Sequence, residues 1–109
     1  MLLLVTSKIN DDDLKKAAED FDGYMKVVVD IERGILTAGG RLHADGEALL
    51  LKDGNAQKNL WGGGLDLETG GIDFESMINI RPNDDNPSRE VLSASIRKRM
   101  GEIIRALLR

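Results

Sequence analysis

Apolar and polar positions alternate along much of the segment 24–51, and this alternation predicts two strands. Side chains two positions apart along a strand share a face, so one face can seal a core while the other stays polar. In the first predicted strand, one face carries Val27, Val29 and Ile31, and the other carries Val28, Asp30 and Glu32. The second predicted strand runs from about 42 to 52, and its polar face carries His43, Asp45 and Glu47.

Two amphipathic helices flank the sheet-forming segments. The first is predicted to begin after Asn10, whose side chain suits an N-cap. The aspartates at 11–13 would then lie in the first turn, where the positive end of the helix dipole stabilises negative charge. Its apolar stripe consists of Leu14, Ala17, Ala18 and Phe21, and Gly23 suits its C-terminal end. The second helix lies near the C terminus, where apolar residues at 96, 100, 103, 104 and 107 follow helical spacing.

Shorter apolar runs complete the predicted sheet. We expect strands over 2–6, 35–38, 59–67 and 72–81, with the glycines at 62–64 weakening or bulging the third of these. Short loops between neighbouring strands favour antiparallel pairing. The pattern predicts an α+β fold of about five mostly antiparallel strands, with the early helix and the C-terminal helix packed on one face. We expect residues 1–109 to form a single globular domain.

Composition and charge narrow the class of protein. The proportions of apolar and charged residues, 41% and 31%, are typical of a soluble protein. The opening MLLLV is too short for a signal peptide, and no apolar run approaches the ~20 residues of a membrane helix, so no membrane association is expected. A net charge of −4 disfavours nucleic acid as a partner. The absence of cysteine excludes disulfides and thiolate metal sites and favours a cytoplasmic location.

Polar side chains from several segments are predicted to share the sheet face opposite the helices. They are Asp30, Glu32, His43, Asp45, Glu47, Asn79 and Arg81. His43, the only histidine, would act as a general base with Asp45 or Asp30 fixing its tautomer, while Arg81 would hold an anionic small molecule. A divalent metal on His43 and Asp45 is a variant that needs a ligand from a neighbouring strand, because three alternate strand residues span ~13 Å. The leading hypothesis is a small-molecule or metal-binding domain, with hydrolysis as its candidate reaction.

Two alternatives remain open at this point. The same polar positions suit a solvated sheet surface, on which exposed charges prevent pairing with other chains. The chain would otherwise be a non-enzymatic interaction module or a homodimer, docking through a sheet edge or through its basic C-terminal helix. The basic residues of that helix are Arg97, Lys98, Arg99, Arg105 and Arg109. The residues leave open whether a cofactor is bound and whether the chain is an enzyme.

Four short motifs, IERG, LHAD, LWG and INIRP, resemble a family of small uncharacterised prokaryotic proteins grouped as a domain of unknown function. The resemblance extends over nearly the whole chain. The sequence departs from it after Trp61, where Gly63, Gly64 and Leu65 replace a more strand-like run that contains polar residues. The resemblance implies no established activity. It does imply that the polar positions of the family are matched by Asp30, Glu32, His43, Asp45, Asn79, Arg81 and Arg89, which adds Arg89 to the ligand-binding candidates.

Overall fold

A computed structural model describes residues 1–109 as one five-stranded antiparallel sheet with three α-helices. The strands are β1 (Leu3–Val5), β2 (Tyr24–Asp30), β3 (Ile35–Ala38), β4 (Leu60–Asp66) and β5 (Ile72–Asp73), and the helices are α1 (Asp11–Ala18), α2 (His43–Lys52) and α3 (Ala94–Leu108). Single 3-10 turns cover Gln57–Asn59, Met77–Asn79 and Pro82–Asp84. The strand order is β1-β3-β2-β4-β5, and every pairing is antiparallel. The predicted α+β class and the antiparallel sheet are confirmed.

The two predicted helices form because local signals define their ends. The Asn10 side chain accepts a hydrogen bond from the Asp13 N–H at 2.8 Å, as an N-cap should. Ser93 caps α3 in the same way by accepting from the Ile96 N–H. Gly23 follows α1 with a φ of +96°, and its N–H donates to the Ala18 carbonyl oxygen. α3 therefore begins and ends close to its predicted bounds. α1 begins as predicted but ends at Ala18 with Glu19 as its C-cap, so Phe21 and Gly23 lie beyond the helix that was predicted to extend to them.

The prediction of a strand over 42–52 is wrong, because this segment forms α2. Its alanines, leucines, glutamate and lysine are good helix formers, and a ten-residue alternation of small and polar residues does not exclude a helical period. Gly46 and Leu50 are buried, with the i, i+4 spacing of one helix face. A side chain at Gly46 would meet the Thr37 hydroxyl at 2.5 Å, so α2 rests directly on the sheet there.

The predicted strand over 72–81 is also too long, since β5 contains only Ile72–Asp73. Short polar side chains end β5 because they accept hydrogen bonds from nearby backbone N–H groups, which a longer strand would use for pairing. Asp73 accepts from the Glu75 N–H at 3.2 Å, and Ser76 accepts from the Ile78 N–H at 3.2 Å, at the start of a 3-10 turn. In contrast, β4 is not weakened by its glycines, and it pairs with β2 along all seven residues.

Alternate residues of β2 belong to two different apolar clusters. Val27 and Val29 lie in a cluster of 15 buried residues that includes residues from α1 and α3. Val28 lies in a smaller cluster with Leu50 of α2. Because adjacent strand residues point to opposite faces, α2 covers the sheet face opposite to that of Val27 and Val29. None of the helices combines the length and apolar character needed to cross a bilayer.

Candidate functional site

Next to the N-terminal end of α2, the sheet face that this helix covers carries a depression whose floor is the backbone of β4. Gly62 and Gly64 point toward this face, and neither has a side chain to fill it. An ideal Cβ on Gly62 would lie 2.5 Å from the Ser76 Cβ and 3.1 Å from the His43 Cδ2. On Gly64, it would lie 2.6 Å from the Asp73 Oδ2 and would overlap the Tyr24 hydroxyl. The two glycines thus allow four polar side chains to rest on bare backbone.

These side chains line a pocket of about 420 Å³, hereafter the His43 pocket. Strands β2 and β5, which lie on either side of β4, contribute most of the lining together with the loops that follow β5, and α2 contributes its first residue. The lining residues are Tyr24, Lys26, His43, Asp73, Glu75, Ser76, Met77 and Arg89. A smaller cavity of about 170 Å³ shares Lys26, His43, Ser76 and Met77 with this pocket and extends toward Leu42. The volume lies within the range typical of small-molecule sites, ~300–1,000 Å³.

The imidazole of His43 is oriented by the backbone of β4. Its Nε2 lies 2.7 Å from the Gly63 carbonyl oxygen. A carbonyl oxygen only accepts hydrogen bonds, so Nε2 carries the proton and Nδ1 is left as an acceptor. Nδ1 has no hydrogen-bond partner in the protein. Burial lowers the pKa of His43, the positive charge of Lys26 lowers it further, and the bond to Gly63 opposes both. The ring is therefore a neutral acceptor near pH 7.

Tyr24 and Asp73 form the most tightly connected polar pair in the pocket. The Tyr24 hydroxyl donates to the Asp73 Oδ2 at 2.6 Å. Burial raises the pKa of Tyr24, and the hydrogen bond to the Asp73 carboxylate raises it further. Tyr24 therefore stays protonated and holds one side of the carboxylate, while the other oxygen accepts from the Glu75 N–H. The pair is a fixed acceptor group at the edge of the sheet.

The two cations of the pocket have no carboxylate within ion-pairing distance. The ion pairs of the structure involve other groups, including the N terminus, Arg33 and Arg41, and neither Lys26 nor Arg89 belongs to one. Lys26 lies half-buried, with its Nζ 5.5 Å from the centroid of the Phe21 ring. Arg89 is exposed at the rim. Both positive charges are thus available to a ligand.

Asp30, Glu32 and Asp45 do not line the His43 pocket. Asp30 is completely buried at the end of β2, where its carboxylate accepts from the Glu32 and Arg33 N–H groups and from the Asn55 amide at 2.6 Å. It therefore closes the turn into β3. The side chains of Glu32 and Asp45 are exposed to solvent. Asp45 follows two residues after His43 on α2, which turns it away from the imidazole.

Asn79 also has a buried position, and it anchors the loop that supplies part of the pocket. Its Oδ1 accepts from the Gly62 N–H at 2.8 Å. Its amide nitrogen donates to the carbonyl oxygens of Gly62 at 2.9 Å, Arg89 at 3.0 Å and Phe74 at 3.3 Å. Asn79 thus ties β4 to two segments of the loop without facing the pocket.

Arg81 contacts the backbone and an aromatic ring, and it does not line the pocket. Its guanidinium donates to the Gln57 and Leu60 carbonyl oxygens, each at 2.7 Å, and lies 3.8 Å from the centroid of the Trp61 ring. It connects the turn before β4 with the loop after β5. Of the eight polar residues predicted from the sequence, Glu47 among them, the structure brings only His43 and Arg89 to one pocket.

Sequence reasoning missed the other five polar residues of the pocket. Tyr24 and Lys26 had a visible signal, because they alternate with the buried Met25 and Val27 and must share the opposite face. The remaining residues carried no such signal, since the turns that present them are not strand-like. They are Asp73, Glu75 and Ser76. The structure brings no three His, Asp or Glu side chains together in a way that could hold a metal ion.

Comparison with known proteins gives one match. A family model described as a protein of unknown function (DUF5674) matches residues 3–107. This confirms the resemblance inferred from the four sequence motifs. Neither the curated proteins nor the solved structures yielded a match.

Proposed function

The chain belongs to this DUF5674 family, and we propose that it acts as a single domain that binds a small polar molecule, with an anionic group, in the His43 pocket. One observation carries the proposal. Two cations and a free imidazole nitrogen, none of them in a hydrogen bond or an ion pair within the protein, line one cavity of small-molecule size. Unpaired groups of this kind, gathered in a pocket, are what ligand recognition requires.

Each group has a distinct role in this proposal. Lys26 and Arg89 attract the anionic group, and the guanidinium can bind it through two parallel hydrogen bonds. Ser76 accepts from the Ile78 N–H through its oxygen, which leaves its hydroxyl hydrogen for the ligand. The Nδ1 of His43 accepts a hydrogen bond from the ligand. In a hydrolytic form of this function, the same nitrogen takes the proton from an attacking water.

A thermal-shift screen of polar metabolites tests the proposal, with carboxylated and phosphorylated compounds as the first set. Lys26→Met removes one cation but keeps much of the side-chain volume, and His43→Gln keeps an N–H for Gly63 but removes the ring acceptor. Each variant should weaken the binding of any hit at least tenfold. Lys58→Met, on an exposed lysine outside the pocket, is the matched control and should bind normally. Hits that bind both pocket variants as well as the wild type would disprove the proposal.

Self-association is a second candidate function, favoured by one edge of the sheet. β1 pairs only with β3, so its other edge has no partner strand. Leu4 on this strand is 37% exposed. A second copy pairing along β1 would extend the sheet, as exposed edge strands readily do. Sedimentation analysis at rising concentration tests this function, and a monomer at every concentration would refute it.

A further inference from the structure

The His43 pocket contains charges of both signs, and they balance. Lys26 and Arg89 supply two positive charges, and Asp73 and Glu75 supply two negative charges. The histidine adds none near neutral pH. A ligand with only negative charge would satisfy the cations but would lie beside two carboxylates with nothing to offset them. A ligand with only positive charge would meet the opposite conflict.

From this balance, and on the premise of the proposed function, we infer that the ligand is a small zwitterion of the amino-acid class. Its carboxylate binds between the Lys26 ammonium and the Arg89 guanidinium. Its ammonium group binds the carboxylates of Asp73 and Glu75. A zwitterion is neutral overall and carries charges of both signs, so it matches a pocket whose own charges cancel.

The free hydrogen-bond acceptors of the pocket fit an ammonium group in particular. An ammonium carries three donors and no acceptor. The Glu75 carboxylate has no hydrogen-bond or ion-pair partner in the protein, and the Nδ1 of His43 has none either. Asp73 keeps further acceptor capacity, since each of its oxygens receives only one protein hydrogen bond. Two acceptors without any donor in the protein, and a third with spare capacity, therefore line the same cavity.

NMR titration of the whole chain tests this inference. The probes are the common free amino acids, each with two matched derivatives: the N-acetyl form, which lacks the ammonium, and the amide, which lacks the carboxylate. Inorganic phosphate is a further probe. At least one free amino acid should shift the amide resonances of His43 and of residues 62–64, with a Kd at least tenfold below those of both derivatives.

The outcomes separate this inference from the proposed function. If N-acetyl forms or phosphate shift the pocket resonances as strongly as the free amino acids, the zwitterion inference fails and the anion-binding pocket stands. If no probe shifts these resonances, both the inference and the proposed function fail in this assay. Shifts confined to other parts of the chain count as the same failure.

A single near-isosteric variant distinguishes zwitterion binding from simple anion binding, because it should change the affinities for the free amino acid and for its N-acetyl form in opposite directions. Glu75→Gln removes one negative charge while keeping the side-chain size. It should weaken binding of the free amino acid at least tenfold and strengthen binding of its N-acetyl form. Glu68→Gln, at an exposed position outside the pocket, should change neither. Unchanged or tighter binding of the free amino acid by Glu75→Gln would overturn the inference. The urea midpoint followed by the fluorescence of Trp61, the only tryptophan, verifies that both variants are folded.

Discussion

Asn79→Asp replaces one amide nitrogen by oxygen and should strongly destabilise the protein. Asn79 is 0% exposed, and its amide nitrogen donates to the carbonyl oxygens of Gly62, Phe74 and Arg89. The substitution keeps the acceptor for the Gly62 N–H but turns the donor into an acceptor that faces three carbonyl oxygens. These contacts join β4 to the loop on both sides of the pocket, so the loss concerns the framework of the site as well as overall stability.

The magnitude follows from protonation and from the lost donors. A carboxyl group among carbonyl oxygens stays buried only when it is protonated, while in the unfolded chain its pKa is ~3.9. Keeping it protonated at pH 7 therefore costs about 4 kcal/mol, at 1.36 kcal/mol per pH unit. The protonated group offers one donor where the amide offered two, which adds roughly 1–3 kcal/mol for an unsatisfied buried acceptor. The total, about 5–7 kcal/mol, rivals the whole stability of a typical domain, ~5–15 kcal/mol.

Urea denaturation followed by Trp61 fluorescence provides the assay. The variant should be unfolded or destabilised by at least about 4 kcal/mol at pH 7, and it should regain stability as the pH falls toward the carboxyl pKa. Asn83→Asp is the matched control, because Asn83 is exposed in the same loop and should change stability by no more than ~0.5 kcal/mol. A loss below about 1 kcal/mol for Asn79→Asp, or a loss independent of pH, would refute the reasoning.

Three further predictions concern the pocket. Tyr24, the only tyrosine, should not ionise near its ordinary pKa of ~10 in the folded chain, because burial and the bond to Asp73 raise its pKa; ultraviolet absorbance of tyrosinate measures this. The folded pKa of His43 is lowered, so the unfolded chain takes up the proton first and stability falls as the pH drops below ~6.5. In His43→Gln this part of the fall should disappear from melting temperatures measured between neutral and mildly acidic pH. Gly64→Ala forces a methyl group against Tyr24 and Asp73 and should cost ~1–3 kcal/mol by urea denaturation.

A specific experimental result would contradict each of these three predictions. Tyrosinate absorbance that rises near pH 10 before the chain unfolds would contradict the buried, hydrogen-bonded Tyr24. Equal pH dependence of melting in wild type and His43→Gln would show that the His43 pKa is not lowered by folding. Gly71→Ala, at an exposed glycine without positive φ, is the control for Gly64→Ala. Equal losses for the two glycine variants would show that close packing on β4 is not the cause.

The helices α1 and α3 could be predicted because their signals are local. Asn10 and Ser93 each bind a backbone N–H three residues further on, and the apolar stripes repeat with a helical period. Such contacts lie within one or two turns of the chain and depend little on the rest of the fold. Strand β2 could also be predicted from its alternating pattern, since its buried and partly exposed residues alternate with a period of two up to Val27. Together, these helices and this strand were sufficient to predict the α+β class.

The candidate site could be predicted only in part, because burial of a polar group depends on distant segments. Asp30, Asn79 and Arg81 were predicted on a shared polar face, and in the structure each of them is instead a centre of hydrogen bonding within the protein. Asp30 accepts from the side-chain amide of Asn55, 25 residues away. Asn79 and Arg81 bind backbone groups that lie 17 to 24 residues away in the chain. A sequence shows that such a residue is unusual, but it does not show whether its partners are the protein backbone or a ligand.

Local sequence signals were enough to predict the capped helices α1 and α3, the antiparallel sheet and a region rich in polar residues around the single histidine. Only the folded chain shows that 42–52 is a helix, and that Tyr24 and Lys26 line one pocket with His43 above the glycines of β4. The physical reason is the range of the forces involved. Caps and periodicity act between near neighbours in the chain, whereas a pocket arises where segments distant in sequence leave space between them. Gly62 and Gly64 illustrate the difference: locally they suggest a weak strand, and in the folded protein they provide the room for the site.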